Sequence, residues 1–137
     1  SQGDLKNSAE HLEAAIAGFD RRNNNASGAF RGSLALVRAR MGDVQTARAL
    51  LKQGETQLRD VWLIEWGRLL CRRAQVEVIA DCPMQAKTAL LQAQEIASQF
   101  GGSPDSDLGQ HIAETQAILR ASDGNGHSGQ ADADTEG

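Results

Sequence analysis

The chain has 137 residues, 40% hydrophobic and only 4% aromatic, with two prolines and few β-branched residues in alternation, which suits one helical core and argues against a β-fold. Its formal charge is −4, and its two cysteines and three histidines are scattered without a CxxC or ligand-like spacing, so no disulfide framework, metal site or cofactor is indicated. No apolar run is long enough to span a bilayer and the N-terminus lacks the basic and apolar regions of a signal peptide, so the expectation is a soluble, cytoplasmic protein with no membrane partner.

Residues 1 to 3, Ser-Gln-Gly, read as a cloning remnant or a disordered end. A first helix is expected over about 5 to 22, with Leu5, Leu12, Ile16 and Phe19 on its apolar face and Asn23-Asn24-Asn25 to stop it. A second, about 27 to 41, carries Phe30, Leu34, Val37 and Met41. A third, about 44 to 59, carries Val44, Ala47, Leu51, Gly54 and Leu58. Gly42-Asp43 separates these two. Glycine tolerates the left-handed conformation that closes a helix, and aspartate accepts the free amides of the next one.

The stretch from 61 to 80 is the most apolar and has two stripes, one through Trp62, Trp66, Leu69 and Val76 and one through Leu63, Leu70, Ala74 and Val78. A helix apolar on two faces is covered on two sides, so it belongs at the centre, with the two tryptophans one turn apart in the core. Asp81-Cys82-Pro83 reads as cap and first turn of a fifth helix, lined by Ala86, Ala89, Leu90, Ala93, Ile96, Ala97 and Phe100 and ended by Gly101-Gly102. Ser103-Pro104-Asp105 caps a sixth, about 104 to 120, with a narrow stripe of Leu108, Ile112, Thr115 and Leu119. Residues 122 to 137 leave nothing apolar to bury and read as a disordered acidic tail, which makes 4 to 121 the folded domain.

The sequence repeats with an offset of 39: Ala35 falls on Ala74, Ala47 on Ala86 and Leu50-Leu51 on Ala89-Leu90. This pattern resembles the tetratricopeptide repeat, through Leu34-Ala35, Gly42, Ala47, Leu51 and Gly54 in one unit and Ala74, Ala86, Leu90 and Ala93 in the next. Arg73 and Asp81 depart from its leucine and glycine, and the period exceeds the roughly 34 residues of the family. The likeness is to the longer, degenerate repeats of large bacterial signalling regulators that carry ATPase or cyclase modules. It implies about six helices in antiparallel hairpins stacked as a right-handed α-α superhelix, cut from a longer array, with the first helix the second arm of a preceding repeat.

No GxSxG, Walker loop, HExxH or GxGxxG is present, and Glu10-His11-Glu13 and Asp105-Asp107-His111 read as wet helix faces, so a non-catalytic protein-protein interaction module is expected. The resemblance implies that the first helices of the hairpins face the partner, which places Gly32, Leu36 and Arg40, then Arg68, Cys71, Gln75 and Ile79, along the groove. Charge adds Arg38 and Arg72: residues 1 to 20, 21 to 73 and 74 to 137 carry −3, +7 and −8, so an acidic peptide, or the chain's own tail, complements the middle. The rival class is a nucleic-acid-binding helical repeat using those arginines, opposed by the overall acidity and the lack of aromatic residues among the basic ones. Self-association through an exposed end of the array is a further expectation.

Overall fold

The computed structural model describes residues 1–100 and 103–136, with side chains described through residue 123. Six helices follow one another, α1 (Gln2–Arg21), α2 (Ser27–Arg40), α3 (Val44–Leu58), α4 (Leu63–Ile79), α5 (Pro83–Gln99) and α6 (Asp107–Glu136). The protein is all-α, and among the described residues no helix is long and apolar enough to cross a membrane.

The offset of 39 recurs in the backbone itself. Gly42 (φ 91°) and Asp81 (φ 61°) are both left-handed, and each is followed by a residue of nearly the same conformation, Asp43 at φ −109°, ψ 75° and Cys82 at φ −119°, ψ 74°. The amides after the two turns reach back to matching carbonyls, Asp43 to Arg38 at 2.9 Å and Cys82 to Glu77 at 2.8 Å. Asp81 therefore closes α4 in the position of Gly42 and does not cap α5, contrary to the sequence expectation. The cap position is Cys82, without a side-chain capping bond, and Pro83 opens the helix, where its missing N–H costs nothing. In the first turn Asp43 does cap α3, accepting from the Thr46 amide at 3.1 Å.

Packing follows the stripes. Leu69 and Val76 of α4 join Ala35, Ala39, Ala47, Leu51 and Leu58 in one core, while Leu70, Cys71 and Ala74 join the small-residue stripe of α5 and Leu108, Ile112 and Leu119 of α6 in another. Trp66 touches both. Thus α4 lies against α2, α3, α5 and α6, as its two apolar faces require, whereas α1 packs on α2, with Ala9, Ile16 and Leu34 buried between them and the Phe19 and Phe30 rings stacked at 5.2 Å. Glycine lets α2 and α3 approach closely. A Cβ on Gly54 would stand 2.9 Å from the Gly28 carbonyl oxygen.

Several expectations are corrected. Ser1 caps α1, so Gln2 and Gly3 belong to a helix. Trp62 precedes α4 and is 47% exposed, and Phe100 is also exposed, because each lies at the end of its helix beyond the reach of the next layer. The cap of α6 is Ser106, whose hydroxyl accepts from the Gly109 amide at 3.0 Å, rather than the Ser103-Pro104-Asp105 segment. The sixth helix runs to Glu136 and not to about 120. Contact between the acidic tail and the basic region concerns side chains outside those described.

Candidate functional site

Two parallel neighbours, α2 and α4, leave a cleft between them. Ala26, Ala29, Phe30 and Ser33 form one wall, and Trp62, Glu65, Arg68 and Arg72 the other. The offset pairs these walls, since Ala29 and Arg68, and Ser33 and Arg72, are 39 residues apart. One end is therefore aromatic and apolar and the other cationic.

The close approach of α2 to α4 depends on Gly32, whose hydrogen faces Leu69 and Arg72; a Cβ there would be 2.7 Å from Leu69 Cδ1 and 3.3 Å from Arg72 Cδ. The Arg72 stem is thus seated against the α2 backbone, with its head in the cleft. Its guanidinium has no ion pair or hydrogen bond within the described residues, and burial, then the neighbouring Arg68 charge, lowers its pKa from the usual arginine value. Arg68 differs. It is held by Glu65 and by Asp107 of α6, each at 3.0 Å, while its Nε is buried without a partner. Behind them His111 stands 4.0 Å from Asp107; burial, reinforced by Arg68 and Arg72, depresses its pKa and favours the neutral ring.

The other expected residues fall into three groups. Arg40 and Ile79, equivalent by the offset, are both exposed at the far end of the same face. Leu36 is half-buried and packs against the α2–α3–α4 core, and Gln75 donates to Thr115 of α6 at 3.2 Å, so both are partly occupied by the fold. Cys71 and Arg38 are taken up by the fold. Cys71 is fully buried, its thiol pushed up to about 11 by that burial, because α6 covers the side of α4 on which it lies. Arg38 is paired with Glu13 of α1. Ala29, Phe30, Ser33, Trp62 and Glu65 were missed, although aligning the two hairpins would have placed Ser33 beside Arg72.

Most of the remaining positive charge of the middle region serves packing. Arg31 makes a bidentate pair with Asp20 at 2.7 and 3.1 Å and bonds Gln57, which joins α1, α2 and α3. Arg48 of α3 holds the buried Glu77 of α4 at 2.7 and 3.1 Å, and Arg73 lies 3.5 Å from Glu55. Arg59 covers the Trp66 ring at 5.9 Å. Arg48, Arg73 and Glu77 also floor a second cleft, between α3 and α5 on the far side of α4, walled by Met84, Gln85, Thr88 and Gln92.

Comparison with protein-family models, curated proteins and solved structures finds no match. Among the described residues no group of three or more His, Cys, Asp or Glu side chains is placed to hold a metal ion. Glu10, His11 and Glu13 lie exposed along α1, with Glu13 engaged by Arg38.

Proposed function

We propose that the protein is a non-catalytic interaction module of the tetratricopeptide kind, in which the face shared by α2 and α4 receives a peptide or helix of a partner protein. The observation that carries this reading is the 39-residue recurrence of turn backbone and buried alanines, which sets two equivalent helices side by side with an open, amphipathic cleft between them. Three equivalent positions of each hairpin, Ala26, Ala29 and Ser33 and then Glu65, Arg68 and Arg72, line the cleft, so side-chain differences at them, such as Ser33 against Arg72, select the partner. A role within a larger bacterial signalling regulator follows from the same resemblance. The nucleic-acid alternative is weakened by the pairing of Arg31, Arg38, Arg48, Arg68 and Arg73 with carboxylates, which leaves few guanidiniums free for phosphates.

Selection of peptides from a random display library against the folded chain, with counter-selection against Ser33→Trp, tests the proposal. The Trp side chain fills the cleft from one wall without touching the cores. Peptides enriched on the native chain and lost on the variant are expected; peptides that bind both equally would place recognition elsewhere.

A further inference from the structure

We propose that this cleft selects partner segments carrying a side-chain carboxylate a few residues from an apolar one, with Arg72 as the anchor of the carboxylate and the Trp62 end of the cleft receiving the apolar group. The inference rests on the preceding reading of the α2–α4 face and adds the chemistry of the partner.

Four arginines of the middle region were equal candidates by sequence, and their surroundings separate them. Arg38 is already paired with Glu13, and one terminal nitrogen of Arg68 with Glu65 and Asp107 together, although its Nε has no partner. Arg40 is exposed, so water solvates it and an ion pair there contributes little. Arg72 alone of the four is half-buried with no ion pair or hydrogen bond in the described residues, and it stands in a cleft. A guanidinium in that state has given up part of its hydration without receiving hydrogen bonds in exchange, and a bidentate carboxylate restores them. The nearest acids do not fill this role, because Glu65 and Asp107 both bond Arg68.

Geometry sets the rest of the ligand. Ser33 faces Arg72 across the cleft and contributes a small hydroxyl that leaves room beside the guanidinium. One to two turns toward the start of α2 the wall becomes Phe30, Ala29 and Ala26, and about three turns before Arg72 on the other wall stands Trp62, half exposed and able to cover an apolar side chain. In the other direction Arg40 lies two turns beyond Ser33, about 10 Å along the axis, and would meet a second, more weakly held acid. A leucine followed on one side by glutamates matches this order of surfaces. Phosphate esters share the charge, but a phosphate offers no apolar group to the Trp62 end.

The test is an NMR shift titration of the intact chain with a short end-capped peptide of leucine and glutamate, with the same peptide bearing glutamine for glutamate, and with single-stranded oligouridylate. The expected result is shifts at α2 and α4 cleft residues and a preference of about ten-fold for the glutamate peptide. In Arg72→Gln that preference falls to within about two-fold, and in Arg72→Lys part of it returns. Ser33→Glu supplies the carboxylate from within and should abolish the preference while leaving Arg72 in place, which keeps the idea testable if Arg72→Gln does not fold. A preference that survives both variants, or equal binding of the two peptides in the cleft, overturns the Arg72 assignment but not the docking face. Shifts confined to other surfaces, or no shifts at all, overturn both. Tighter binding of the oligouridylate, lost in Arg72→Gln, would assign the site to nucleic acid instead.

Discussion

Two residues in equivalent positions, Gly42 and Asp81, do the same conformational work at different cost. A left-handed backbone is unfavourable for a residue with a Cβ by roughly 1–2 kcal/mol, and nothing lies within 4 Å of the place a Cβ on Gly42 would occupy, so strain is the only penalty there. Gly42→Ala should lower stability by about 1 kcal/mol, and Asp81→Gly should raise it by somewhat less, because a second glycine also loosens the unfolded chain. Urea unfolding of both variants measures the pair; a destabilised Asp81→Gly would mean that the aspartate side chain holds the turn. Gly54 is a different case, since the obstacle to a Cβ is the Gly28 carbonyl, which cannot turn aside as a side chain can. Gly54→Ala is expected to cost about 1–3 kcal/mol despite the better helix propensity of alanine, whereas Gly32→Ala, opposed by the Leu69 and Arg72 side chains, should cost less in the same unfolding measurement.

Between elements, ion pairs set the contacts that apolar stripes leave undirected. Arg48 joins α3 to α4 through Glu77, whose side chain is 9% exposed while that of Arg48 is 42% exposed. Removing the arginine strands a buried carboxylate, so Arg48→Met should destabilise by about 2 kcal/mol, with the half-exposed guanidinium placing the cost at the low end for such pairs. The double variant Arg48→Met, Glu77→Met should recover most of it, and failure to do so would mean that the pair itself stabilises the fold. The α4–α6 contact is pH-sensitive in a defined direction. His111 faces Arg68 and Arg72 of α4 and Asp107 and Glu114 of its own helix, and its folded pKa is below the ordinary value of 6.5, so the unfolded chain binds the proton more readily. Stability is fully present above about pH 6.5 and decreases as pH falls through the interval down to the folded pKa. In His111→Gln, thermal melts between pH 8 and pH 5 should show that part of the decline removed; an unchanged slope would mean that His111 is not its source, since carboxylates such as Asp20, which Arg31 holds below the usual range, act only near pH 4 and lower.

For the whole molecule, the organising fact is that α4 belongs to two cores while α1 touches α2. Native-state hydrogen exchange should therefore find the slowest amides in α4 and α5 and the fastest helical ones in α1, and Leu70→Ala, at a fully buried position, should cost about 2–5 kcal/mol. Exchange of α1 at the rate of α4 would mean that the hairpins unfold as a single unit. The charge asymmetry also reads differently at this scale. The surplus of arginine in the middle is largely matched by acids from α1, α4 and α6, so the arrangement joins helices across the chain more than it presents a basic surface.

The periodicities alone were enough to identify six helices, the turn at Gly42 and the 39-residue repeat, because a residue's helical face and a glycine's freedom are local properties that hold before any packing. The buried stripes of α3 and α6, Ala47, Leu51, Gly54 and Leu58 and then Leu108, Ile112, Thr115 and Leu119, were legible for the same reason. Helix ends were less so. Whether Asp81 caps the next helix or closes the last one is one residue of register, and both uses suit aspartate. Which arginines remain free was not legible at all. Arg38, Arg68 and Arg72 look alike in sequence, and the positions of Glu13 and Asp107 on other helices, with Glu65 one turn before Arg68, decide that two are paired and one is not. Pairing is a property of two surfaces brought together, and a single chain written in one dimension specifies each surface without their distance.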